Sequence, residues 1–353
     1  MHRRQVVAAV MAVPLLLALP AAGSATESYR VSAPVIHDNL TIFFVHAPNR
    51  PGPVPLTLEE ALAKGVVKVH ETGNVNALAI ENLGDLEVFV NSGEIVKGGQ
   101  QDRALTVSMM LPPKSGRIAI DAFCVEQGRW SKRGVEDVRT FATASALLPS
   151  RDAKIAMKAA RPVATAGSAL NYASEPNRAD VSSRQQEMWR AVGATQNKIA
   201  DRVGVPIAAP QSETSLQLSL ENEKLKTAQE AYIKALKAAG EQDSDIVGYV
   251  FAINGKINSA EIYPSNGLFR KLWGKLLSAS VTEAIGERTS AAATPATVET
   301  VNAFLAANER GAVSEKKLPI NERLVTRGDD SVLYFETRRA DGSWLHRSYL
   351  AAK

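Results

Sequence analysis

Residues 246–263 read IVGYVFAINGKINSAEIY, and residues 268–277 continue LFRKLWGKLL. Asn254-Gly255 divides the first run into two strand-like arms. An Asn-Gly pair suits a type I′ turn, whose two central residues both need positive φ. The run therefore predicts an antiparallel hairpin, Ile246–Ile253 against Lys256–Tyr263. Directly after it Phe269, Leu272, Trp273, Leu276 and Ile285 recur at helical spacing, which predicts a helix lying across that hairpin. Strands and a covering helix in one unit point to an α+β fold.

The reading extends in both directions from this unit. Beyond it, residues 286–297 form a Ser/Thr/Ala/Pro linker and Val298–Ala307 a short helix. Ser331–Arg338 and Trp344–Ala351 then predict a last hairpin around Ala340-Asp341-Gly342. Before it, Trp189, Val192, Ile199 and Val203 share one helix face, and Leu225, Ala228, Tyr232 and Leu236 share another, closed by Gly240. Trp189, Trp273 and Phe269 are expected in the core. Residues 150–182, rich in Ala, Arg and Ser, are expected to be a loosely structured connection.

The N-terminal half reads mostly as short strands with turn chemistry between them. They are Leu40–Val45, Val66–His70, Ala77–Asn82, Leu86–Asn91, Ala104–Leu111 and Arg117–Cys124, with another within Val138–Leu147. Thr57-Leu58-Glu59-Glu60 is a capping box that opens a helix over Leu58–Lys64, ended by Gly65. The expected organisation is thus a β-rich antiparallel domain over residues 26–175 and a mixed helix/hairpin domain over residues 176–353.

Residues 1–25 carry a basic start at Arg3 and Arg4, an apolar run from Val6 to Leu19 and small residues up to Ala25. That is the pattern of a signal peptide, and a run of about 14 residues is too short to span a bilayer as a helix. No cysteine near residue 25 offers a lipid attachment point. The expectation is a periplasmic or secreted chain, of bacterial type, with no membrane span after cleavage. Losing Arg3 and Arg4 takes the basic residues from 41 to 39 against 37 acidic ones, a net charge of +2. Such a balance, with no clustered basic face, speaks against nucleic acid as a partner.

Composition narrows the chemistry further. With 45% hydrophobic and 22% charged residues, the chain is neither disordered nor fibrous. A single cysteine excludes a disulfide framework and a four-cysteine zinc site, and five histidines make a histidine-rich metal centre improbable. No Walker loop, HExxH, GxSxG or GxGxxG occurs. No cofactor and no metal are expected. Cys124, inside the apolar run 118–125, reads as a small buried hydrophobe.

Two segments are more polar than their strands require. One runs from Ser92 to Arg103 and holds Glu94, Lys97, Gln100, Asp102 and Arg103 around Gly98-Gly99; the other, 124–130, holds Glu126, Arg129 and Trp130. Placed side by side they would form a polar, ligand-facing patch.

The segments SGEIVKGGQQDR (92–103), LPPKSG (111–116), CVEQGRW (124–130), GYVFAINGKINSAEIY (248–263) and LFRKLWGKLL (268–277) resemble the bacterial family called ARG and rhodanese–phosphatase superfamily associated protein domain. The resemblance runs from about residue 30 to the end. It implies the two-part architecture and marks the two polar segments as signature; it brings no established activity, substrate or cofactor. The favoured reading is a secreted module that binds a small molecule or a protein. A hydrolase-like enzyme would use Glu94 or Glu126 as base, with Arg103 or Arg129 steadying an anionic transition state. The third reading is structural, with the charges paired to one another.

Overall fold

Asn254 and Gly255 adopt φ of 49° and 76°, the left-handed pair that a type I′ turn requires, and the hairpin they close lies at the centre of the molecule. The structure is a computed structural model describing residues 29–158, 178–291, 293–306 and 311–352. The expected signal peptide, residues 1–25, and residues 159–177 of the expected connection lie outside the described residues.

In chain order the first half contributes β1 (Arg30–Val31), β2 (Val35–His37), β3 (Leu40–His46), β4 (Leu56–Thr57), α1 (Leu58–Ala63), β5 (Val67–Asn74), β6 (Ala77–Asn82), β7 (Val88–Val90), β8 (Glu94–Gly98), β9 (Arg103–Leu105), β10 (Met109–Leu111), β11 (Gly116–Cys124) and β12 (Phe141–Leu147). The second half contributes α2 (Arg151–Lys158), α3 (Arg178–Val203), α4 (Leu216–Leu220), α5 (Glu223–Leu236), β13 (Ile246–Ile253), β14 (Lys256–Ile262), α6 (Asn266–Gly286), α7 (Val298–Leu305), β15 (Ala312–Lys317), β16 (Arg323–Gly328), β17 (Val332–Arg338) and β18 (Trp344–Ala351). The protein is α+β, its sheets antiparallel apart from the β4–β7 pair.

The largest sheet runs β1-β3-β13-β14-β18-β17-β16-β15, with β2 also paired to β3. A six-stranded sheet runs β12-β8-β9-β11-β6-β5, and a three-stranded one β10-β7-β4. Strand alternation gives the largest sheet two buried faces. Phe44, Tyr249, Phe251 and Tyr263 point toward the helices, while Phe43, Val45, Val250 and Ile262 pack with Val301, Phe304 and Leu305 of α7. Because β3 pairs with β13, this sheet joins residues from both sides of the expected division near residue 175.

The capping box forms as expected: Glu60 N–H donates to Thr57 Oγ1 at 3.2 Å, and Thr57 N–H to Glu60 Oε2 at 2.8 Å. Four details differ from the sequence reading. Residues 94–98 are themselves a strand, because β8 lies between β12 and β9 and its backbone must pair on both sides. The single strand expected over 104–111 breaks at residues 106–108 into β9 and β10, which serve different sheets. The expected loose connection holds helix at both ends, α2 and the start of α3. Finally, β15 and β16 form a hairpin the reading lacked; their run of Lys, Arg and Glu hides the alternation that marks a half-buried strand.

Gly240 follows α5 in a short 3₁₀ turn, Ala238–Glu241, and works by close approach rather than by unusual backbone. A Cβ there would lie 2.4 Å from the indole of Trp273, the fully buried ring that meets Phe44 and Tyr249 edge-on. Gly240→Ala is expected to cost about 1–3 kcal/mol by overpacking. Gly274→Ala on exposed α6 surface, where a Cβ meets nothing within 4 Å, should instead hold or raise the melting temperature. Equal melting of the two variants would refute this packing account.

Glu322 ties two sheets together from just before β16. Its buried carboxyl accepts the Met110 N–H at 3.1 Å. Burial pushes its pKa up to about 8, with Glu87 adding to the rise and Met110 and Arg339 opposing it. The folded state therefore keeps a proton that the unfolded chain, with a carboxyl near 4.5, has released. Stability from this group falls as pH rises through that window. Glu322→Gln should melt like the parent at pH 4 and above it at pH 8.5; the same pH slope in both proteins would exclude a neutral Glu322.

Candidate functional site

The two polar signature segments meet. β9 and β11 pair antiparallel with Cys124 opposite Arg103, so residues 99–103 lie beside residues 124–130. Gly99, with φ of 55°, admits the Phe141 ring, which a Cβ would meet at 2.2 Å.

Asp102 is fully buried and fully answered. Its carboxylate accepts from Gly98 N–H at 2.9 Å, from Ser215 Oγ at 2.7 Å and from both Nη groups of Arg133 at 2.9 Å. Glu126 accepts from Arg129 Nε at 2.7 Å, Arg133 Nη1 at 3.2 Å and the Asp102 N–H at 2.9 Å. Arg133 also holds Glu136, with two contacts of 3.0 Å. Arg129 spends its remaining donors on the carbonyls of Gly99, Ser131 and Gly98, at 3.0, 2.6 and 3.2 Å. Ser215 is at the same time the N-cap of α4, taking the Leu218 N–H at 3.1 Å. The network thus joins the β8–β9 turn, the loop after β11 and a helix start.

The electrostatics follow from this pairing. Burial alone would raise the Glu126 pKa, but Arg129, Ser212 and the Asp102 N–H outweigh it and hold the carboxylate below its ordinary range. Burial opposes the Arg133 charge, yet Asp102, Glu136 and Glu126 raise its pKa. Both groups are ions in the folded protein.

The other expected residues are dispersed. Glu94 is buried at the start of β8, where its Oε1 takes Lys275 Nζ of α6 at 2.7 Å. It shares no hydrogen-bond partner with Glu126. Lys97 reaches Glu221 at 2.7 Å, and Gln100 donates its N–H to Glu71 at 3.2 Å. Arg103 is fully buried: Nη1 donates to Gln101 O at 2.8 Å and lies 3.7 Å from Cys124 Sγ, Nη2 lies 3.8 Å from Glu71, and its guanidinium carbon is 5.6 Å from the Trp130 ring centre. Trp130 stays 45% exposed. Cys124 donates Sγ–H to Glu126 O at 2.6 Å, and burial, against the nearby Arg103 charge, pushes its pKa up to about 11. It is a poor nucleophile at neutral pH.

The sequence reading missed Arg133, Glu136, Ser215 and Gln185, the last of which bridges the Cys124 N–H and C=O from α3 at 2.9 Å each. Arg133 and Glu136 had a signal in the charged run that follows Trp130. Ser215 had one too, standing just before the apolar Leu216 as N-cap residues do. Gln185 had none, because its role exists only where α3 crosses β11.

Elsewhere, Ser108 Oγ lies 2.8 Å from His346 Nδ1, and His346 Nε2 lies 2.9 Å from Glu261 Oε2. The order is that of a nucleophile, a base and an orienting carboxylate, but Ser108 is 2% exposed and His346 3%. Among the described residues, His46, Asp243 and Asp245 place one possible metal-ligand atom each within 4.8 Å of one another. Asp245 there is already held by His46 at 2.7 Å and Arg30 at 3.0 Å. A groove of about 340 Å³ lies between α2 and α3, away from the signature segments.

The chain matches the family described as ARG and Rhodanese-Phosphatase-superfamily-associated Protein domain over residues 28–350, and it belongs to that family. No curated protein and no solved structure matches it.

Removing one member of a buried, fully paired ion network leaves its partners uncompensated, at about 3–5 kcal/mol. Arg133→Met should therefore melt far below the parent and below Arg129→Ala, since Arg129 directs most of its donors to carbonyls. A parent-like melting curve for Arg133→Met would mean the network adds nothing to stability.

Proposed function

We propose that the protein is a secreted, periplasmic binding or interaction module whose contact element is the loop of residues 127–140. One observation carries this reading. The side chains of Arg129 and Arg133, both on the loop, are only 8% and 5% exposed and turn inward, while Trp130 and Val135 between and beyond them are 45% and 99% exposed. A large apolar side chain held out by a loop that is already ordered contacts a partner with little further loss of entropy. Tryptophan is also a common binding hot spot. Export is supported by the N-terminal pattern of residues 1–25.

The hydrolase reading has less support. Asp102 and Glu126 are saturated with donors, Glu94 is bonded to Lys275, and the Ser108–His346–Glu261 series lies in the packed interior.

A thermal-shift panel of metals, sugars, nucleotides and peptides on residues 26–353 tests the proposal, with Trp130→Ala and Val135→Ser alongside. Both variants should melt within a few degrees of the parent. Val135 touches little, and the Arg103–Trp130 contact is worth only about 0.5–2 kcal/mol. Any ligand that stabilises the parent should lose its effect in Trp130→Ala. A ligand shift that survives both substitutions would move the binding surface elsewhere, and a collapse of Trp130→Ala would make Trp130 part of the scaffold.

A further inference from the structure

We propose that α2 closes a second site, independent of the loop, in which Lys154 and Lys158 bind a small oxyanion, a carboxylate or a phosphate, against the β14–β18 face. The two lysines stand one helical turn apart on α2, so their side chains project to the same side. Lys154 is buried, and its Nζ is 3.9 Å from Glu261 Oε1, beyond hydrogen-bond reach, and 5.9 Å from the Phe251 ring centre. Half-buried Lys158 donates one bond, to Ser348 Oγ at 2.8 Å, with Phe335 5.1 Å away. Ser259, two residues before Glu261 on β14 and so on the same face, is fully buried, and its hydroxyl has no partner.

Charge counting gives the sign of the ligand. Among the described residues, Glu261 is the one carboxylate that acts on both ammonium groups, and it also meets His346 at 2.9 Å. His346 is uncharged near neutral pH, because burial lowers its pKa from 6.5 more than Glu261 restores it. Tyr249 and Tyr263 on the same face are held neutral by burial. Arg184 of α3 lies at the end of α2, where it donates to Ala156 O at 3.1 Å and to Met157 O, and its charge is faced by Asp180, Asp121 and Glu187 rather than added to the lysines. Among the described residues, two lysines therefore share one carboxylate in a poorly hydrated place, with no hydrogen-bond acceptor at the Lys154 ammonium or the Ser259 hydroxyl. A buried cation without its counter-ion is strongly disfavoured, and two remedies exist. Lys158 can shed its proton, and burial does pull its pKa down to about 8, with Lys154 adding to the effect. Below that pH the proton stays, and an oxyanion supplies both the charge and the acceptors. Partial burial of the groups limits the ligand to a few heavy atoms.

The test uses residues 26–353 and titrations with sodium acetate and sodium phosphate against sodium chloride at matched ionic strength, followed by melting temperature and calorimetry. At pH 6.5 one or both oxyanions should stabilise saturably beyond chloride, and the tighter of the two identifies the carboxylate or phosphate source. Lys154→Met and Lys158→Met should each abolish the effect. Acetate carries the same charge at pH 9.5, where Lys158 has lost most of its proton, so its apparent affinity in the parent should fall by about tenfold or more. This arm decides the matter even if a lysine variant fails to fold. Equal stabilisation by chloride, a response that survives in both lysine variants, or an acetate affinity unchanged between the two pH values would each overturn the proposal.

Discussion

A guanidinium withdrawn from water is costly unless its edges are answered, and at Arg133 carboxylates answer all of them. Asp102 takes both its Nη groups, Glu126 takes Nη1 again and Glu136 takes Nε and Nη2. Each answer comes from a different piece of chain: the turn before β9, the residues after β11 and the loop itself. Satisfying one side chain thus fixes three backbone segments relative to one another. Ser215 extends the constraint to α4, since its hydroxyl donates to Asp102 while its oxygen caps the helix. The carboxylates outnumber the two arginines by one, and the Gly98 and Asp102 N–H groups and the Ser215 hydroxyl make up the remainder as hydrogen bonds. Irregular chain held this way needs no regular secondary structure to be ordered.

The same economy of long-range constraint governs the largest sheet. β3 sits between β1 and β13, so residues near 40 are hydrogen-bonded to residues near 250. Closing so large a loop early is entropically unfavourable. The β13–β14 hairpin and α6, which are contiguous, supply a local unit that can form first and offer β13 as a template. Within that unit the Trp273 ring contacts both Tyr249 and Phe269, consistent with such an order.

What could be read from residues alone follows the same division between local and distant. The Asn254-Gly255 hairpin, the Thr57 capping box and the stripe on α6 are written within a few positions, and each is present. Gly240 was placed correctly as the end of a helical segment, but its reason, the indole of Trp273, is a neighbour from 33 positions on. β15 and β16 escaped because a mostly exposed hairpin needs few apolar residues. At the site, the β9–β11 register brings the two signature segments together, a pairing of strands that neither segment's own residues encode. Glu94 and Glu126 looked like a pair because they share a residue type. Their separate partners, Lys275 and the arginines, come from α6 and from a loop whose inward turn no spacing encodes.

The interior polar groups also divide by how their charge is closed. The carboxylates of Asp102 and Glu126 are met by the donors of Arg129, Arg133, Ser215 and two backbone N–H groups, and the pKa shifts of Glu126 and Arg133 both favour the ionised form; such a network is suited to holding a loop. Beneath α2 the pattern reverses. Burial opposes both charges: at Glu261 it is outweighed by Lys158, His346 and Lys154, which keep the carboxylate ionised, while at Lys158 burial outweighs Glu261 and drives the ammonium toward neutrality. One carboxylate can satisfy one ammonium group well and a second only in part, and the Ser259 hydroxyl marks where the deficit lies. Imbalance of this kind is costly to a purely structural core, where a leucine at either lysine position would fill the space without it. Two lysines on one face of an eight-residue helix, sharing one carboxylate among the described residues, are the imbalance that the proposed oxyanion would close.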